Sequence, residues 1–276
     1  MSLRGKLEMA GVSDVGRKRD HNEDTIAADP ALGVAVLADG MGGYKAGEVA
    51  SALAVNVFVD QVRRGLRERA ASSVDEVTGY TQASLIVRDA IAQANDSIYQ
   101  AAQQQTHCQG MGTTLVSLLF HDNQVSVAHV GDSRLYRLRH EELEQLTVDH
   151  SLMQELVDRG FYTPEEARRN VQKNLVTRAV GVDPTVTADL QEEVVLPGDL
   201  YLLCSDGLTD LVDDANIHLT LTEHGANLPA AARQLVQQAN ANGGTDNISV
   251  ILVRILRPFP ARHRAYWYAK VLDWFT

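Results

Sequence analysis

Four aspartates in this chain repeat one arrangement: an acid at the edge of an apolar run, beside or close to a glycine. Residues 34–43 read Val-Ala-Val-Leu-Ala-Asp-Gly-Met-Gly-Gly, so a buried strand ends in Asp39 and the glycines behind it permit a tight turn. Residues 130–134, Val-Gly-Asp-Ser-Arg, repeat the arrangement around Asp132. The apolar run 200–205 leads into Asp206-Gly207, with Asp210 four residues further on. Residues 243–247, Gly-Gly-Thr-Asp-Asn, set Asp246 at the entrance of a strand over 248–256. A single Asp-Gly after a strand is ordinarily a turn. Four of them converge on one rim if their strands share a core, because in an antiparallel sheet the entrance of one strand lies next to the exit of its neighbour. Gathered carboxylates raise one another's pKa and repel unless cations neutralise them. Oxygen donors alone, with no cysteine and no regular histidine spacing, suit hard divalent ions such as Mg²⁺ or Mn²⁺. A pair of such ions about 3.5–4 Å apart activates water and stabilises an attacked phosphoryl group.

The elements that must position these acids follow from periodicity. A first strand is expected over 7–12, then a charged loop over 13–24 holding Arg17, Lys18, Arg19, His21, Glu23 and Asp24. Such a loop fits a solvated surface; the alternative is that Arg19 faces an anion while Glu23 and Asp24 face a cation. The central strand covers 33–38. Residues 48–69 read as an amphipathic helix with Val49, Leu53, Val57, Phe58 and Val62 on its buried face. A second helix spans about 80–104, and the two together cover one face of a sheet. From Gly110 the period becomes that of strands, over 113–120, 124–130 and 134–138, with 121–123 as a hairpin turn. Residues 147–181 turn polar and helical, with Pro164 opening a short helix, and form a flap beside the site. Strands return at 187–195 and 200–205, and helices at 213–223 and 229–242 precede the last strand.

Composition bounds the function. The chain has 276 residues, 45% hydrophobic and 22% charged, and a net charge of −11, which argues against nucleic acid or an anionic membrane as the main partner. No apolar run is long enough to cross a bilayer, and the N-terminus lacks a signal-peptide pattern, so a cytoplasmic protein is expected. Cys108 and Cys204 lie far apart beside apolar segments and read as reduced packing residues.

Six segments, in order, resemble the metal-dependent Ser/Thr protein phosphatases of type 2C, in their bacterial form: residues 16–24, 38–43, 110–114, 130–134, 205–210 and 245–250. The resemblance implies an α+β fold, an α-β-β-α sandwich of two antiparallel sheets flanked by helices, with a binuclear metal site at one rim. It implies a catalytic domain over 1–256, with the flap at 149–181. By the same resemblance Asp39 would bridge two ions of Mn²⁺ or Mg²⁺, with the Gly40 carbonyl and Glu23 joining one and Asp206 and Asp246 the other. Asp24 would stand behind them. Asp132 and Asp210 would complete a third, weaker position that shares Asp206. Arg19 matches the phosphate-binding arginine, a task its planar fork suits. The implied reaction is hydrolysis of phosphoserine and phosphothreonine in proteins by metal-activated water, without a phosphoenzyme, opposing a Ser/Thr kinase. Met41 stands where many eukaryotic members have a histidine proposed as general acid, so that role is open. His21, His129 and His150 lie near the motifs without a spacing that assigns them chemistry.

Two other functions share the motifs. A phosphoprotein-binding pseudophosphatase would have lost metal acids, and none is missing; a hydrolase of small phosphate esters would need an open site. The tail at 257–276 is basic and aromatic in an acidic protein and holds both tryptophans, Trp267 and Trp274, with Phe259, Tyr266, Tyr268 and Phe275. It reads as a segment docking on the body, or alternatively as a contact for a partner or a membrane surface.

Overall fold

The computed structural model describes Leu3 and residues 5–42, 46–104, 108–172 and 175–259. Gly43, Asn174 at the flap border, and the tail from residue 260 with both tryptophans lie outside the described residues.

Eleven strands and seven helices alternate along these residues. They are β1 (Leu7–Asp14), β2 (Asp24–Asp29), β3 (Val34–Met41), α1 (Ala46–Glu68), α2 (Gln82–Gln104), β4 (Gly112–Thr113), β5 (Leu115–His121), β6 (Gln124–Val130) and β7 (Arg134–Arg139). The chain continues with β8 (Glu142–Gln145), α3 (Leu152–Asp158), α4 (Pro164–Asn170), β9 (Asp189–Val194), β10 (Leu200–Cys204), α5 (Asp206–Thr209), α6 (Asp214–His224), α7 (Leu228–Ala241) and β11 (Ile248–Ile255). They form two antiparallel sheets, ordered β1-β11-β10-β7-β8 and β2-β3-β5-β6-β9, with β4 paired to β3. Leu37, Val116 and Leu118 of one sheet meet Leu203, Ile251 and Val253 of the other in a shared core. Helices α1 and α2 close the outer face of the β3 sheet, and α6 and α7 that of the β11 sheet. This is the expected α-β-β-α sandwich. Buried on both faces, β3 is apolar without alternation: Val34, Val36 and Ala38 face the helices while Ala35 and Leu37 face the other sheet.

Three local expectations change. Strand β3 does not stop at Ala38 but continues through Asp39 and Gly40 to Met41, where β4 pairs with it: Gly40 lies opposite Thr113 and Met41 opposite Gly112. Gly42 has a positive φ and Gly40 does not, so Gly40 is a strand residue rather than part of the turn. Strands β2 and β8 were not anticipated; both are short and only partly buried, so neither shows a strong apolar period. Helix α1 buries Phe58 and Val62 as expected, with Leu53 and Val57 packed partly buried against the core, but Val49 is 46% exposed and Ala50 and Ala54 are buried, so the face is turned slightly toward the alanines. Small residues let α1 approach α2 and the sheet closely, and that contact outweighs the larger side chain at Val49.

The anticipated turn at 121–123 is a tight hairpin with positive φ at Asp122 and Asn123. In the flap, α4 opens at Pro164 behind a Thr163–Glu166 capping box. Cys108 and Cys204 are buried and unbridged, as expected of packing residues. Phe259, grouped by sequence with the tail, is 2% exposed in the core between the sheets and stacks edge-to-face on Phe120. Among the described residues no helix is long and apolar enough to cross a membrane.

Candidate active site

The β3 extension carries Asp39 past the core to the rim. Its backbone is held from both sides: the Asp39 N–H donates to Thr114 Oγ1 at 3.0 Å, and its carbonyl accepts from the Thr114 N–H at 2.9 Å and the Thr113 hydroxyl at 2.8 Å. Antiparallel register sets Asp24, the first residue of β2, directly across from it. Asp132 sits in the connection between β6 and β7, Asp206 opens α5 where β10 ends, and Asp246 precedes β11. Cys204 pairs with Val250, so the exit of β10 and the entrance of β11 are neighbours, the geometry that brings Asp206 and Asp246 together.

Asp39, Asp132, Asp206 and Asp246 line one cleft of about 270 Å³ with Arg19, Glu23 and Gly40, and Asp24 stands behind Asp39. Asp210 ends α5 in an adjoining hollow that Asp132 and Asp206 also line. Every site residue expected from sequence therefore lies in the cleft or against it. Gly40 is required sterically: a Cβ there would stand 2.1 Å from the Gly47 carbonyl oxygen of α1 and 2.6 Å from that of Glu23. Its absence lets the first turn of α1 press against the strand. The Gly40 N–H then donates to the Glu23 carbonyl at 3.1 Å, which fixes the end of the charged loop.

The electrostatics are those of crowded acids. Burial first, and then the charges of Asp24, Asp206, Asp132 and Asp246, hold the Asp39 carboxyl well above the usual carboxylate range. Burial and the neighbouring Asp132, Asp246 and Asp210 push Asp206 up to about 8. Asp24 and Asp132 are each pushed up to about 6, chiefly by burial. Asp24 is 8% exposed; its Oδ2 accepts from the Ser205 hydroxyl at 3.0 Å, while its buried Oδ1 has no hydrogen-bond partner. Arg19 is the one cationic side chain among the described residues that line the cleft, and it donates to Asp246 Oδ2 at 2.7 Å. One cation does not balance five carboxylates. Oxygen donors, raised pKa values and an orphaned buried oxygen together fit divalent cations such as Mg²⁺ or Mn²⁺.

Histidine stands apart from this site. The His21 side chain is exposed, and its carbonyl is bound by Asn247. His129 and His150 stack with ring centroids 4.6 Å apart, and with Asp189 they bring donor atoms within 4.8 Å of one another. The hydrogen bonds argue against a metal there. His150 Nδ1 accepts from the Gly131 N–H, and its Nε2 already stands against Arg178 Nη1 at 3.1 Å and Asp189 Oδ2 at 3.3 Å. His129 Nε2 lies 2.8 Å from the Val148 carbonyl and must donate to it, and Arg178 already neutralises Asp189. The cluster ties the flap base to β6 and β9. Sequence reasoning passed over Thr114, Ser205 and Asn247 as site-building residues. Each lies inside a segment it had singled out, but their partners are far away in sequence.

A sequence model of the family described as Protein phosphatase 2C matches residues 16–248. Protein phosphatase PhpP of Streptococcus pneumoniae is 38% identical over 256 residues, which cover 90% of this chain and 97% of PhpP. Serine/threonine phosphatase stp of Listeria monocytogenes is 37% identical over 244 residues, 87% of this chain and 93% of that one. Among solved structures, the Mycobacterium tuberculosis serine/threonine phosphatase PstP/Ppp superposes with a TM-score of 0.79 at 36% identity, covering 91% of this chain and 99% of that one. The catalytic domain of PstP in complex with 2 manganese ions superposes with a TM-score of 0.77 at 35% identity, again covering 91% of this chain and 99% of that one. Matching motifs, a shared fold and this coverage lead to one assignment: the chain belongs to the protein phosphatase 2C family.

Proposed function

We propose that the chain hydrolyses phosphoserine and phosphothreonine in proteins, in a reaction that depends on divalent cations held by the acid cluster. The observation that carries this is the meeting in one cleft of a single arginine with carboxylates from five segments of the chain. Asp39, Glu23, the Gly40 carbonyl, Asp206 and Asp246 would hold the two ions. Asp132 and Asp210, sharing Asp206, offer a third and weaker position. Mn²⁺ and Mg²⁺ both suit these donors. When bound, the ions supply an activated water and neutralise charge on the attacked phosphoryl group.

The chain's own groups do the rest. Arg19, which lines the cleft beside Asp246, would orient phosphate oxygens there with its fork. Thr114 carries the one hydroxyl among the described residues lining the cleft, and it is engaged by the Asp39 N–H and by Ser133. No serine, cysteine or histidine side chain lines the cleft among those residues, and its aspartates would be engaged by the cations, which supports direct attack by water over a phosphoenzyme. Met41 lines it where a histidine acid would stand, so the side chain at that position cannot supply the proton that the leaving oxygen takes up.

The test is phosphate release from a phosphothreonine peptide with Mn²⁺, Mg²⁺ and EDTA. Release is expected with metal only, and Asp39→Asn should lower kcat at least about 10²-fold, beyond the cost of losing a supporting residue. Metal-loaded wild type that binds the peptide without releasing phosphate would establish the binding reading instead. A small phosphate ester hydrolysed with a higher kcat/KM than the peptide would overturn the protein-substrate class. The proposal extends to a Ser/Thr kinase as the opposed activity and the cytoplasm as the compartment. It also includes a partner or membrane contact through the basic aromatic tail. Liposome and pull-down assays on the full chain and on a chain lacking residues 258–276 test the last of these.

A further inference from the structure

We infer that Asn247 is the positioning residue for the phosphate-binding loop, holding Arg19 and Glu23 in register with Asp246. The inference rests on the proposed roles of Arg19 and Glu23. Residues 17–21 are exposed, so burial cannot hold the segment that carries Arg19. Asn247 is 5% exposed at the entrance of β11, and its amide is given over to this loop. Both Nδ2 hydrogens are used, toward the Val15 carbonyl at 3.0 Å and the His21 carbonyl at 2.9 Å, and Oδ1 accepts from the Glu23 N–H at 2.8 Å. The Asn247 backbone N–H donates to Asp246 Oδ1 at 2.8 Å, while Arg19 takes Oδ2 of the same carboxylate at 2.7 Å.

One side chain thus staples the loop at both ends, while the backbone N–H of the same residue fixes the acid against which Arg19 leans. No other residue type does this at equal size. An aspartate would set an oxygen against two carbonyls, and a leucine would leave three backbone groups without partners. Other ties reach the loop elsewhere: the Arg17 and Lys18 N–H groups donate to the Gly244 carbonyl, Asn22 Nδ2 to Ser13 Oγ at 2.7 Å, and the Gly40 N–H to the Glu23 carbonyl. Without the Asn247 amide the His21 carbonyl and the Glu23 N–H lose their partner, so Arg19 and the Glu23 side chain lose their register with Asp246 while Asp39 and Asp206 stay in place on their own elements.

The experiment is a pair of double-mutant cycles on the full chain. Steady-state kinetics on a phosphothreonine peptide compare wild type, Arg19→Ala, Asn247→Ala and the double variant. Calorimetric Mn²⁺ titration of EDTA-stripped protein compares wild type, Glu23→Ala, Asn247→Ala and that double variant. Asn247→Ala is expected to raise KM about 10-fold, more than it lowers kcat, and to weaken Mn²⁺ binding about 10-fold, as supporting residues of metal sites do. Both effects should vanish when Arg19 or Glu23, respectively, is already gone. Effects that multiply, or an unchanged KM beside a raised KM in Arg19→Ala, overturn the inference. If Arg19→Ala itself leaves KM unchanged, the phosphate-binding role of Arg19 is what fails, and the Mn²⁺ cycle decides the role of Asn247. Should Asn247→Ala not fold, Asn247→Ser, which can keep one of the three bonds, takes its place.

Discussion

Asp24 and Asp39 face each other across β2 and β3 in a setting where burial keeps both carboxyls above their ordinary range, with the charge of Asp24 adding to it for Asp39. That has a consequence for the metal-stripped protein. A carboxyl whose pKa is higher folded than unfolded binds its proton more tightly in the folded chain. Its contribution is fully present below the unfolded carboxylate range near about 4 and is lost as pH rises through the folded value. For Asp24 and Asp132 that loss runs from about 4 to about 6, and for Asp206 it continues to about 8. In EDTA, Tm is therefore expected to fall from about pH 4 to about pH 8, and Mn²⁺ should restore it with an increment that grows with pH. Thermal melts across that range, with and without metal, check this; an EDTA curve flat with pH contradicts it. Thr114 acts at the same level, since its hydroxyl holds the Asp39 N–H. Thr114→Val should cost about 10–100-fold in activity, the range for supporting residues of metal sites, and far less in Tm than a core deletion.

Strand β3 and helix α1 work as a unit. The glycine contact between them lets the helix start close to Glu23: a Cβ on Gly47 would fall 2.8 Å from the Glu23 carboxyl carbon, as one on Gly40 falls on Gly47 itself. Backbone cannot yield as a side-chain tip can. Gly40→Ala is thus expected to destabilise by about 3 kcal/mol, the upper end of overpacking costs, and to reduce Mn²⁺ affinity. The rotated face of α1 separates two further variants. Val49→Ala, at an exposed site, should change stability by no more than about 0.5 kcal/mol. Ala50→Leu, at a fully buried one, should cost about 1–3 kcal/mol. Urea titrations read both, and the reverse ranking would restore the face expected from periodicity.

In the molecule as a whole, two sheets meet face to face, and residues from the far ends of the chain complete their core. Leu3 and Phe259 both pack into the layer between the sheets, near Phe120. Losing a buried phenylalanine costs about 3–5 kcal/mol. A chain ending at residue 256 should accordingly melt well below one ending at 260, and Phe259→Ala in the full chain should match the shorter one. Equal melting temperatures for the two shortened chains would show that Phe259 contributes nothing to the body.

Much of this was legible before any coordinates. Acids at strand edges, the helix pair, the hairpin turn and the polar excursion over 147–181 are local signals, written in neighbouring residues as period, glycine and proline. The six motifs supplied the order of the site. Tertiary structure alone decided which face α1 buries, that β3 runs on past Asp39, that β2 and β8 exist, and that Asp24 lies across from Asp39. It alone revealed Asn247 as the link between Val15, His21 and Glu23, partners 232, 226 and 224 residues away. The division has a physical cause. A side chain's own period is fixed by the few residues around it, whereas a hydrogen bond across more than 200 residues exists only once two sheets have packed. Asp206 and Asp246 could be recognised one at a time in the sequence, but only the pairing of β10 with β11 makes them neighbours.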